Sequence, residues 1–142
     1  MKKSSRNKVT LFLIEDDDID AMSITREFKR RKILNPIIRA KDGVEAFELL
    51  SSGKISRPFI ILLDLQMPRM NGLEFLTKLR ANSDYKNSVV FILSTSQDEN
   101  DIFNSYKSNV AGYFIKDEVD DAFISIVDVF DSYRNVVHLP LS

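Results

Sequence analysis

Apolar residues along the chain gather into five short runs of strand length: Val9 to Ile14, Ile37 to Ala40, Phe59 to Leu63, Val89 to Leu93 and Gly112 to Ile115. The stretches between them carry helical spacing instead. A first helix, roughly Ile19 to Lys32, places Ala21, Ile24 and Phe28 on one face; a last, roughly Val119 to Arg134, does the same with Phe123, Ile126, Val127 and Phe130. The helices between announce their starts by a polar residue followed three positions later by glutamate: Asp42 with Glu45, Asn71 with Glu74, and Ser96 with Glu99. This is the spacing of a capping box or its Asx counterpart, which satisfies otherwise orphaned backbone N–H groups.

Strands that alternate with helices of this length can pair only in parallel, because each return crosses a face of the sheet. Phe59 to Leu63 and Val89 to Leu93 are apolar at every position, as central strands covered on both faces must be. The pattern therefore predicts an α/β fold: a doubly wound, five-stranded parallel sheet with helices on both faces. One domain should run from residue 9 to 134, between a basic tail at 1–8 and an apolar tail at 135–142.

Composition narrows the picture in three ways. With 20 basic and 21 acidic residues, a net charge of −1 offers no basic footprint for nucleic acid. With no cysteine, disulfides and thiol chemistry are excluded. The start, Met1 to Lys8, is basic like the first part of a signal peptide, but the run that follows is short and ends in acids. No membrane span is expected, and a cytoplasmic location is.

In open parallel sheets ligands bind beyond the carboxyl ends of the strands, where the strand order reverses. The polar residues of interest lie at such ends: Glu15 and Asp16, Asp64, Ser94 and Thr95, and Lys116. Carboxylates converging in a crevice repel one another and call for a cation. The ligands on offer are oxygens, with no His or Cys cluster, so Mg2+ is the expected ion. Beside a metal and an ammonium from Lys116, Asp64 could attack an incoming phosphoryl group and become an aspartyl phosphate. Asp17, Asp18 and Asp20, by contrast, read as first-turn acids that meet the helix dipole and solvent.

The segment Leu62-Leu63-Asp64-Leu65-Gln66-Met67-Pro68-Arg69-Met70-Asn71-Gly72 resembles the phosphorylation segment of two-component response-regulator receiver domains, and the resemblance extends from Val9 to about Arg134. It implies a flavodoxin-like receiver architecture in which Asp64 is the phosphoacceptor and Glu15 and Asp16 form the acidic pair. It further implies Mg2+ bound by Asp16, Asp64 and the main-chain carbonyl of Gln66. Ser94 falls at the family's hydroxyl position and Lys116 at its lysine position. Tyr113 matches the aromatic switch residue whose rotamer follows that hydroxyl. The family usually has proline after the lysine; here Asp117 stands there, and a cis bond before it would cost about 3 to 4 kcal/mol.

The implied donor is a histidine kinase or a phosphotransfer protein, since the single histidine, His138, lies in the tail. The basic run Arg26, Lys29, Arg30, Arg31 and Lys32 reads first as a solvated helix face and second as a kinase-docking surface. The apolar tail reads first as a segment packed back on its own domain and second as an arm across a dimer; with Val129 and Tyr133 beside the core face of the last helix, a homodimer through the last strand, last helix and tail is favoured. The expected protein is a stand-alone receiver signalling by protein contact, similar to receivers paired with phytochrome-type kinases. Two alternatives compete: a Mg2+-dependent phosphohydrolase with an aspartate nucleophile, which normally has a second aspartate where Gln66 stands, and a receiver-like scaffold that does not use phosphate.

Overall fold

A computed structural model describes residues 8–116 and 120–140, the side chains of 120–122 apart. Its elements follow in strict alternation: β1 (Thr10–Ile14), α1 (Asp18–Arg30), β2 (Ile37–Ala40), α2 (Gly43–Ser51), β3 (Phe59–Leu63), α3 (Gly72–Ala81), β4 (Val89–Ser94), α4 (Glu99–Lys107), β5 (Gly112–Ile115) and α5 (Asp120–Val136). All strand pairs are parallel and the sheet order is β2-β1-β3-β4-β5. The order reverses between β1 and β3, so a crevice opens beyond the ends of those two strands.

Side-chain alternation along each strand divides the core between the two faces. Leu11 and Leu13 of β1, Ile60 and Leu62 of β3, and Phe91 and Leu93 of β4 pack with Ala21, Ile24 and Phe28 of α1 and with Ile126, Val127 and Phe130 of α5. Phe12 and Ile14, Ile61 and Leu63, and Val90 and Ile92 point the other way. They meet Ala46 and Leu50 of α2 and Phe75, Leu76 and Leu79 of α3. Each fully buried side chain of this kind stabilises the fold by about 1.5 to 3 kcal/mol in transfer free energy, and β1, β3 and β4 contribute to both faces.

The helix starts explain how the chain leaves each strand. Asn71 caps α3 in a full capping box: its side chain accepts from Glu74 N–H, and Glu74 Oε1 accepts from Asn71 N–H at 3.0 Å. At α2, Asp42 accepts from Glu45 N–H, but Glu45 reaches one residue further back, to Lys41 N–H at 2.6 Å. At α4 the expectation fails. Asp98, not Ser96, is the cap, accepting from Asn100 N–H at 2.7 Å, while the Ser96 hydroxyl binds Asp101. The first helix is also shorter than its pattern, because Arg31 closes it and Lys32 turns to φ 57°.

The last helix buries the face its spacing predicts. Val129 and Tyr133, read from sequence as surface for a partner, instead lie half-buried against the chain's own core, and Leu139 of the tail packs back on its own domain, as the first reading of the tail expects. Tyr133 meets Phe91 edge to face at 5.2 Å. Among the described residues, the large apolar side chains exposed on this helix and tail are Ile124, Val136 and Val137. Among the described residues no helix is long and apolar enough to cross a membrane.

Candidate functional site

The site is built by continuing the sheet ladder one residue past the strands. Glu15 N–H donates to the Ala40 carbonyl at 2.9 Å, and Asp64 N–H donates to the Ile14 carbonyl at 2.9 Å. These bonds fix two acids at the mouth of the crevice, where both side chains are buried, while Asp16 beside them is exposed. Glu15, Asp16 and Asp64 each present a carboxylate oxygen within 4.8 Å of the others.

Local bonds hold the arrangement. Asp64 Oδ1 accepts from Gln66 N–H at 3.1 Å, and Glu15 Oε2 accepts from Asp17 N–H at 3.1 Å. Arg39 of β2 donates from Nε to the Glu15 carbonyl at 2.9 Å and pairs with Asp18 at 2.7 Å, bracing the end of β1 from the sheet edge. The Gln66 side chain turns to β4, where its Oε1 accepts from the Thr95 hydroxyl at 2.8 Å.

Lys116, just past β5, reaches into the acids with its side chain only 10% exposed. Its Nζ lies 2.8 Å from Glu15 Oε1, 2.8 Å from Asp20 Oδ2 and 3.5 Å from Asp64 Oδ2. Sequence spacing treated Asp20 as an acid answering the helix dipole; the fold places it on the lysine. The peptide between Lys116 and Asp117 lies outside the described residues, as do Leu141 and Ser142 of the tail.

Electrostatics follow from burial and crowding. Burial, with the Asp64 charge added, pushes Glu15 up to about 8 against the opposing pull of Lys116. Burial also raises Asp64, opposed by the Lys116 charge, the contact with Glu15 and the Gln66 N–H. Burial works to lower Lys116, but its close ion pairs with Asp20 and Glu15 and the charge of Asp64 prevail and hold it above the usual lysine range.

Ser94 is fully buried at the end of β4, where its Oγ accepts from Ser96 N–H at 3.1 Å. Tyr113 of β5 is half-buried, packs against the α2–α3 side of the core and donates its hydroxyl to the Ser96 carbonyl at 2.8 Å. Ser94 and Tyr113 are therefore linked through one residue, Ser96. Glu15, Asp16, Asp64 and Lys116 are brought together in the crevice, and Ser94 stands at the end of the neighbouring strand.

The donor set suits a hard divalent cation. It offers oxygens alone, and the buried Glu15 Oε1 makes no well-aligned hydrogen bond, its contact being the Lys116 ammonium. A carboxylate with bonding capacity left, beside an exposed one, can complete a coordination shell partly made of water.

Comparison with known proteins agrees with this geometry. The family model described as response regulator receiver domain matches residues 11–128. The chain is 30% identical to the response regulator Rcp1 of Synechocystis sp., over 99% of this chain and 99% of Rcp1. The Mn(2+)-bound crystal structure of Rcp1 superposes with a TM-score of 0.83 at 30% identity, covering 93% of this chain and 99% of that one. The phosphorylated cyanobacterial phytochrome response regulator RcpA superposes with a TM-score of 0.82 at 31% identity, covering 93% and 98%.

Proposed function

The chain belongs to the response regulator receiver family of two-component signalling, and from that premise we propose that Asp64 is its phosphoacceptor. The observation that carries the proposal is the convergence of Asp64 with Glu15, Asp16 and Lys116 at the switch point of the sheet. Receivers of this family act in signalling rather than as classical enzymes.

Asp16, Asp64 and the main-chain carbonyl of Gln66 are the groups that would hold Mg2+, with Glu15 completing the acidic pocket. When bound, the ion neutralises charge on the acids and on the phosphoryl oxygens. The remaining work falls to the chain. A phosphohistidine on a histidine kinase or phosphotransfer protein presents its phosphoryl group in line with an Asp64 carboxylate oxygen. The O–P bond forms as the N–P bond breaks, and the imidazole leaves with the bonding electrons. Lys116 offers its ammonium to the phosphoryl oxygens, and the Ser94 hydroxyl turns from Ser96 to donate to another. Tyr113, bonded to that same residue, is the element that registers the change. Hydrolysis of the aspartyl phosphate by water in the same pocket resets the chain.

The cytoplasm is the compartment where such donors act, and protein contact is the proposed output. Exposed Phe103 and Tyr106 of α4, with Ile124, Val136 and Val137 of α5 and the tail, are apolar groups placed to serve it. A homodimer through β5, α5 and the tail is proposed on this surface. Its support is narrower than the sequence pattern suggests, because Val129, Tyr133 and Leu139 are engaged within the chain. Sedimentation velocity with and without a phosphodonor reads it directly: a single monomeric boundary in both conditions refutes the dimer.

Neither rival gains an observation. Gln66 occupies the place where a phosphohydrolase needs its second aspartate, and its side chain is bonded to Thr95. A scaffold indifferent to phosphate leaves the buried acids and lysine without a purpose. Incubation with Mg2+ and phosphoramidate, followed by intact mass, separates the three. The proposal requires one added phosphoryl group that is absent in Asp64→Asn; sustained release of phosphate would favour the hydrolase, and an unchanged mass the scaffold.

A further inference from the structure

Asp20 is the acid for which the phosphoryl chemistry above has no use. It lies in the first turn of α1, where an acid ordinarily meets only the helix dipole and water. Here its Oδ2 is 2.8 Å from Lys116 Nζ, and its side chain is only 22% exposed. The same ammonium is 2.8 Å from Glu15 but 3.5 Å from Asp64. Two short ion pairs thus hold the lysine on the α1 side of the crevice, and the phosphoacceptor receives the longest of its three contacts.

Accepting Asp64 as the phosphoacceptor, we infer that Asp20 is a positioning residue that competes with the phosphoryl group for Lys116. In the resting pocket the two shortest ion pairs of the ammonium, both 2.8 Å, go to Glu15 and Asp20. Every bond that stabilises the lysine there opposes its turn toward phosphoryl oxygens on Asp64. The charge of Asp20 acts in the same sense, repelling an incoming anionic group at short range. Asp20 therefore keeps the phosphorylated state less favourable than the Glu15, Asp64 and Lys116 set alone would make it.

Beryllofluoride, a stable stand-in for the phosphoryl group, provides the test when titrated at saturating Mg2+ so that Asp20's attraction for the metal does not enter. Asp20→Asn keeps the shape and removes the charge, and should bind beryllofluoride about tenfold tighter, as expected when one charge-assisted bond is lost from the resting state alone. Asp20→Glu restores the carboxylate and should bind like the unaltered chain. A merely structural role would weaken binding or leave it unchanged in Asp20→Asn, and either result overturns the inference, as does tightening by Asp20→Glu equal to that of Asn.

A second measurement needs no variant. In the unaltered chain, the Asp20 side-chain carboxyl carbon resonance should move on adding beryllofluoride as Lys116 departs, and a static resonance contradicts the competition. If the unaltered chain takes no phosphoryl group at all, the assignment of Asp64 falls and the role of Asp20 falls with it. If it does take one while Asp20→Asn behaves identically, only the role of Asp20 is refuted.

Discussion

Replacing Gly72 with alanine should damage the fold at the phosphoacceptor itself. Gly72 opens α3, and its N–H donates to the Leu65 carbonyl at 2.9 Å, drawing the helix start against the end of β3. A Cβ added there would lie 2.4 Å from the Asp64 carbonyl oxygen, 2.6 Å from Leu65 Cα and 2.9 Å from Leu65 Cδ2. Two of these three atoms are backbone, anchored by a buried strand, so the helix must move away instead. Overpacking typically costs about 1 to 3 kcal/mol, and a clash with fixed backbone belongs at the upper end. Alanine's better helix propensity returns at most about 1 kcal/mol, and less at a first helical position. The net loss should be about 2 kcal/mol, a fall of roughly 6 to 8 °C in Tm for a domain of this size.

Gly43→Ala is the matched comparison. Its Cβ would also meet atoms below 3.0 Å, but these are Met70 Sδ at 2.7 Å and Cγ at 2.9 Å, the movable part of an unbranched side chain. Urea unfolding followed by circular dichroism should therefore show Gly43→Ala within about 0.5 kcal/mol of the parent, because thioethers repack easily. If Gly72→Ala is equally well tolerated, or if the two variants lose the same stability, the close approach of α3 to the Asp64 carbonyl is not what fixes this glycine.

Two further outcomes rest on charged side chains outside the crevice. Arg80 donates to the carbonyls of Ser108, Lys86, Ser88 and Asn109, tying the end of α3 to the segments that lead into β4 and β5, and burial depresses its pKa. Arg80→Met should cost about 2 to 4 kcal/mol in urea unfolding, since several carbonyls lose a charged donor at once, and a loss below about 1 kcal/mol would refute that accounting. Glu27 is drawn from the ordinary value near 4.5 down to about 2 by its bonds to Arg30 and Arg31, and Arg31 in turn pairs with Asp128 of α5. A depressed carboxylate stabilises the fold above its unfolded pKa and loses that stability as pH falls through the folded one. Glu27→Gln should therefore lower Tm by about 3 °C at neutral pH, as befits a half-buried pair at the surface, and the gap to the parent should close between pH 4.5 and 2; a gap that persists at pH 2 would contradict the sign.

What the sequence made legible was what local chemistry decides. β1 and β3 are buried on both faces; β3 is apolar at every position and β1 at all but Thr10, so their runs could hardly be mistaken. Asn71 and Glu74 satisfy each other across one turn, and that reciprocity survives in the fold. Ser96 did not cap α4 because Asp98, two residues on, offers a charged acceptor at a workable position, leaving the serine hydroxyl for Asp101. Strand-end acids and Lys116 were legible because a doubly wound sheet must gather strand ends on one side.

Long-range choices were not legible. Nothing near Asp20 in the chain announces Lys116, which arrives from β5 at the far side of the sheet. The bracing of Glu15 by Arg39 depends on β2 lying beside β1, and the Gln66–Thr95 bond on β3 lying beside β4. Val129, Tyr133 and Leu139 show the same apolar pattern whether they cover a partner or their own sheet, and only the fold decides for the latter.

The most direct test of the central claim is to locate the phosphoryl group. After reaction with phosphoramidate and Mg2+, borohydride reduction converts an acyl phosphate to an alcohol, leaving homoserine in place of the modified aspartate for peptide mass spectrometry to find. This account predicts homoserine at position 64 and at no other carboxylate, with none formed in Asp64→Asn. Reduction at Asp16, Asp20 or Glu15, or an undiminished yield in Asp64→Asn, would contradict it.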